Sequence, residues 1–124
     1  MTDVRTTIDG WVEPGTHVTA MGSDVPDKHE VDPALLSRAK VVADSLAQCL
    51  TQGEIHQAIE AGAITADDIY AELGEIAAGL KPGRTDDEEI TLADLTGVGV
   101  LDAAVASLVV ARAKESGIGE VIET

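Results

Sequence analysis

Three short runs of small and β-branched apolar residues, at positions 16–21, 40–44 and 89–94, set the narrowest limit on how this chain can fold. Such runs suit strands buried between helices, because stiff β-branched side chains pack well on a pleated surface. The first follows the turn signal Glu13-Pro14-Gly15 and stops at Gly22. A polar loop then carries Pro26 and leads to Asp32-Pro33, an N-cap candidate followed by proline at the first helical position. The helix at 34–39 gives way to the second run. Strand, loop, helix and strand make a βαβ unit, which implies a parallel pair.

The remaining segments continue the alternation. Apolar residues between Leu46 and Ala61 are interrupted by Gly53, which predicts two short helices. Thr65-Ala66-Asp67-Asp68 is a capped helix start leading into Ile69 and Tyr70. One or two helical turns at 73–78 end at Gly79, and Lys81-Pro82-Gly83-Arg84 is a turn. After the third strand, Gly97-Val98-Gly99 turns into an apolar helix at 101–114, closed by Gly117. The expected class is α/β: a partial three-layer fold with about three parallel strands, flanking helices and a long C-terminal helix. Sheets average about five or six strands, so part of this one is expected to be missing.

Composition narrows the partners. With 124 residues the chain suits one domain, and with no Phe, one Trp and one Tyr its core rests on Val, Ile, Leu and Ala. The 23 acidic and 8 basic residues leave a net charge of −15, which disfavours nucleic acid and anionic membrane surfaces. The acidic excess resembles that of halophilic proteins. No apolar run approaches the ~20 residues of a membrane span, and the N-terminus lacks the charged and apolar regions of a signal peptide. A single cysteine, Cys49, fits a reducing cytoplasm.

Two motifs could carry chemistry. Gly97-x-Gly99-x-x-Asp102 mimics a dinucleotide-binding turn but has Asp where a small residue belongs, so a tight strand-to-helix turn is the plainer reading. Asp24 lies just beyond the first strand, where ligands collect in open α/β sheets, with Lys28 nearby. A carboxylate there can shuttle protons, and a lysine can hold an anion. On the residues alone the plainer reading is that Asp24 bonds its own backbone, with Lys28 a solvated charge. His17, His29 and His56 share no metal-ligand spacing, and Asp86-Asp87-Glu88-Glu89 lacks the pattern of a calcium loop.

Several segments taken in order point to a family. Glu13-Pro14-Gly15-Thr16-His17-Val18-Thr19-Ala20-Met21-Gly22-Ser23-Asp24, Lys40-Val41-Val42-Ala43-Asp44, Ala71-Glu72-Leu73-Gly74-Glu75-Ile76, Ala78-Gly79-Leu80-Lys81-Pro82-Gly83-Arg84 and Thr96-Gly97 resemble the ornithine cyclodeaminase/μ-crystallin family. The likeness is strongest to its alanine dehydrogenase branch and covers about residues 11–115. It corresponds to the C-terminal part of a member, without the N-terminal dimerisation domain or the glycine-rich pyrophosphate loop.

The resemblance implies residues 1–12 as a flexible lead-in, 13–117 as the latter half of a Rossmann-like domain with its returning helix, and 118–124 as a tail. It implies NAD or NADP as cofactor and a small amino acid as substrate. Asp24 maps to the family's acid/base. Lys28, Met21, Gly22, Thr96 and Gly97 map near the nicotinamide, with Leu95 where the family often has Ser. The chain is then an incomplete oxidoreductase, inactive alone. The alternative is a non-catalytic interaction or dimerisation module that reuses the half-fold. Either way it is expected to be a homo-oligomer or bound to a missing N-terminal half, to bind NAD(P) weakly alone, and to need salt.

Overall fold

The computed structural model describes residues 9–23, 25–120 and 122. Four strands, β1 (His17–Ala20), β2 (Lys40–Ala43), β3 (Ala71–Glu72) and β4 (Thr91–Asp94), form one sheet in the order β1-β4-β2-β3. Every pairing is parallel, and Ala20, Asp94, Ala43 and Glu72 share one row at the carboxyl edge. The strand of two residues, β3, joins the three expected from sequence. It follows the capped Ala66–Asp68 turn, which closes after one 3-10 turn, and the chain enters the sheet where the Tyr70 amide donates to Val41 O at 2.9 Å.

Helices α1 (Pro33–Leu36), α2 (Leu46–Cys49) and α3 (Gly53–Glu60) lie between the first three strands in sequence. Asp32 caps α1 by accepting from the Ala34 amide at 3.0 Å, and Pro33 stands at its first position. Leu35, Leu36, Ile55 and Ala58 from these helices pack with Ala20, Val41, Ala43 and Leu92 from the sheet, forming the core. Residues 9–12 are tied down where Arg38 donates to the backbone oxygens of Asp9 and Val12 at 2.6 and 2.7 Å.

From β1 to β3 the chain moves along the sheet in one direction, and from β3 to β4 it returns. A right-handed crossover then requires the returning helix on the opposite face. Leu73 and Ile76 of α4 (Leu73–Ala77) do face the other side, lining a groove of about 620 Å³ with Thr19, Val42 and Ala93. Parallel sheets are normally covered on both faces. Here the second face is only partly covered.

The last helix, α5 (Gly99–Ser116), starts at the predicted turn and ends at Gly117, whose φ of 63° forms a left-handed cap. It has no buried residue. Val100, Leu101, Val105, Leu108, Val109 and Val110 are 47–68% exposed, so its apolar surface has no partner among the described residues.

Candidate functional site

The carboxyl edge of the sheet gathers the candidate residues. Segment 21–22 leaves β1, and segment 95–97 leaves the adjacent β4; the Leu95 amide still donates to Ala20 O at 2.9 Å. Met21, Gly22, Thr96 and Gly97 are thus brought together at the ends of neighbouring parallel strands. Lys28 follows on the β1 loop, in a turn whose Lys28 amide donates to Val25 O at 3.2 Å. Asp24 lies outside the described residues.

Thr96 and Gly97 are held from two sides. Asp44, at the end of β2, accepts from the Thr96 hydroxyl and the Gly97 amide, both at 3.0 Å. Gln48 of α2 donates to Gly97 O at 2.9 Å. The Thr96 side chain is therefore engaged inside the protein, whereas Gly97 is exposed with φ 87°. A β-carbon on Gly97 would meet no described atom within 4 Å. Beside it, Met21 is 71% exposed. Gly22 serves an internal need as well: the Glu30 carboxylate occupies the space a β-carbon there would take.

Beneath this surface lies a buried polar layer that the sequence reading missed. Asp94 and Glu54 are each 1% exposed. Asp94 accepts from the Ile55 amide at 2.9 Å, satisfying a donor at the start of α3. Burial pushes the Asp94 carboxyl up to about 6; the Ile55 amide opposes this, and the charges of Glu54 and Asp44 add to the rise. Cys49 donates to Asp44 Oδ1 at 3.3 Å. Burial first, then the charge of Asp94 and the bond to Asp44, push its thiol up to about 12. Cys49 is consequently a protonated packing group and not a nucleophile.

Glu54 ties the β1 loop together. Its Oε1 accepts from the Ser23 hydroxyl at 2.5 Å and the Glu30 amide at 2.8 Å, and its Oε2 from the Val31 amide at 3.0 Å. Gln57, one turn further along α3, donates to Pro26 O. The signal for Glu54 was present in the sequence. On a helix, Glu54 and Ala58 are four residues apart and share a face, so an acid falls on the apolar stripe.

All-parallel strands, helices divided between two faces and loops converging beyond the carboxyl edge define a Rossmann-like α/β protein. Within that class, the chain belongs to the ornithine cyclodeaminase/mu-crystallin family, whose pattern matches residues 2–117. It is 53% identical over 118 residues to a cyclodeaminase of Sinorhizobium fredii without characterised activity, covering 94% of this chain and 36% of that one. It is 46% identical over 113 residues to the alanine dehydrogenase of Archaeoglobus fulgidus, covering 91% of this chain and 35% of the relative. The crystal structure of the iminosuccinate reductase of Paracoccus denitrificans in complex with NAD+ superposes with a TM-score of 0.85 at 42% identity, over 100% of this chain and 38% of that one. The chain spans about a third of the length of the curated relatives it matches.

Proposed function

We propose that this chain is the C-terminal part of an NAD(P)-linked amino-acid oxidoreductase, with the nicotinamide end of the cofactor meeting segments 21–22 and 96–97. The observation that carries the reading is the join between β1 and β4, where the Leu95 amide reaches Ala20 O and sets the two segments side by side. Relatives that share this fold include an alanine dehydrogenase and a reductase solved with NAD+.

The residues present suit a flat ring. Gly97 offers an open backbone face, and its amide and carbonyl are already bonded, so the approach of a ring leaves no internal polar group unsatisfied. Met21 supplies exposed thioether surface, Gly22 keeps the first turn of the loop narrow, and Lys28 supplies a cation on the same loop. When bound, NAD(P) accepts a hydride from the carbon bearing the substrate amine.

Asp24 takes the proton in this reading. Oxidation of the amine carbon leaves an imine, and water attack on that imine releases ammonia and a keto acid. A carboxylate at position 24 takes a proton from the nitrogen before hydride leaves and gives it up to solvent; it then takes a proton from the attacking water and passes it to the nitrogen, which leaves as ammonia. Thr96 does no proton transfer; its hydroxyl is committed to Asp44 and holds the Gly97 backbone in place.

Supplying the chain with the N-terminal part of a relative and following alanine-dependent NAD reduction tests the proposal. Activity is expected only with both pieces, and Asp24→Asn should lower turnover by about 10²–10⁴-fold. Undiminished turnover in that variant would overturn the role of Asp24. The second reading, an interaction module without chemistry, is favoured by the uncovered apolar surface of α5. It predicts stable complexes and no restored activity.

A further inference from the structure

We infer that Glu54 is a positioning residue: its buried carboxylate closes the two ends of the 23–31 loop onto α3 and so fixes the course of the described residues 25–31, Lys28 among them. The inference rests on the proposed role of that loop in proton transfer. Its geometry stands by itself.

One carboxylate takes three donors from two points of the chain seven or eight residues apart, Ser23 on one side and Glu30 and Val31 on the other. The intervening segment carries no strand or helix among its described residues, and Gln57 holds it once more at Pro26 O. A loop whose ends are pinned to a common atom pair loses most of its freedom to swing about the end of β1. An apolar residue at 54 could fill the volume but would leave the Ser23 hydroxyl and two loop amides without partners. Burying a carboxylate is costly unless it is fully bonded, and here both oxygens are used. The arrangement therefore favours a defined loop geometry over maximal stability.

Glu54→Gln separates positioning from general stability. The amide keeps the size, but its NH2 cannot accept, so the Ser23–Glu30 pair and the Val31 amide cannot both be satisfied. In the full chain, amide exchange at Glu30 and Val31 should accelerate at least tenfold, and order parameters across residues 25–31 should fall below about 0.6. Amides of Val42 and Ala93 in the sheet should be unchanged, and Glu54→Asp should restore part of the loop protection. Unaltered protection at Glu30 and Val31, or an equal loss throughout the sheet, would overturn the inference. Should Glu54→Gln not fold, Ser23→Ala removes one donor and leaves the carboxylate; loosening confined to the loop supports the inference, and an unchanged loop refutes it. None of these readouts depends on turnover, so they stand apart from the test of Asp24.

Discussion

Asp94 and Gly53 approach so closely that a β-carbon on Gly53 would lie 2.8 Å from Asp94 Oδ2 and 2.6 Å from Thr96 Cγ2. Gly53 also has a φ of 90°, a backbone conformation that side-chain-bearing residues rarely adopt. The glycine thus lets α3 begin directly against the end of β4, where the Ile55 amide meets Asp94. Gly53→Ala is expected to cost about 2–4 kcal/mol, combining backbone strain with displacement of a buried carboxylate. Urea denaturation of the two proteins checks this, and equal midpoints would contradict the packing described.

The pH dependence of Asp94 has an unusual sign. Its carboxyl is pushed from 3.8 to about 6 in the folded chain, chiefly by burial. Between those values the folded chain holds a proton that the unfolded chain has released. Stability from this group therefore falls as pH rises from about 4 to 6, and the loss is complete above that window. Carboxylates such as Glu89, held low first by its bond to Lys40, act in the opposite direction. The difference between variants isolates Asp94. Asp94→Asn should match the parent near pH 4 and exceed it by roughly 1–3 kcal/mol at pH 8. Parallel stability curves from pH 4 to 8 would refute the assignment.

How much of this was legible in the sequence differs by element. Strands β1, β2 and β4 announced themselves because buried parallel strands need compact apolar runs. Gly53 marked the break between α2 and α3, although α2 already ends at Cys49 and the positive φ of Gly53 serves the start of α3. Strand β3 gave no such signal, since Ala71-Glu72 has no strand preference and pairs only because Tyr70 and Ala71 fall beside Val41 and Val42. The strand order was equally hidden, as local patterns do not say that β4 returns between β1 and β2. At the site, the resemblance named Met21, Gly22, Thr96 and Gly97, and the fold brings their two segments to the ends of neighbouring strands. Asp44 and Asp94 were read only as the ends of buried strands, and Glu54, despite its place on an apolar stripe, was passed over in a chain with 23 acids.

Asp44 gives a third test. Its carboxylate is the acceptor for both the Thr96 hydroxyl and the Gly97 amide. Asp44→Ala leaves the buried Thr96 hydroxyl with only its long contact to Cys49 Sγ at 3.9 Å and removes the acceptor of the Gly97 amide. A stability loss of about 1–3 kcal/mol is expected, with faster amide exchange at Gly97 than at Val41 or Leu92. If Gly97 exchange stays as it was, the clamp on this segment is not Asp44.

The last prediction concerns α5. Its 18 residues make a rod of about 27 Å, and Val100, Val105, Leu108 and Val110 are spread around it, so its polar residues Asp102, Ser107, Arg112 and Lys114 are not gathered on one side. A helix with apolar residues on several sides leaves some of them in water unless something larger covers it. The chain spans about a third of the length of its relatives, so the remaining two-thirds of such a protein, or a second copy of this chain, is the proposed cover. At micromolar concentration in moderate salt the full chain should sediment as an oligomer. Charges placed on the helix, as in Val105→Asp with Val109→Asp, should give a monomer whose sheet amides remain as protected as before, because α5 contributes no buried residue to the core. A parent chain that sediments as a monomer would show that α5 tolerates water unaided. Sheet protection that collapses in the double variant would show that the helix supports the body directly.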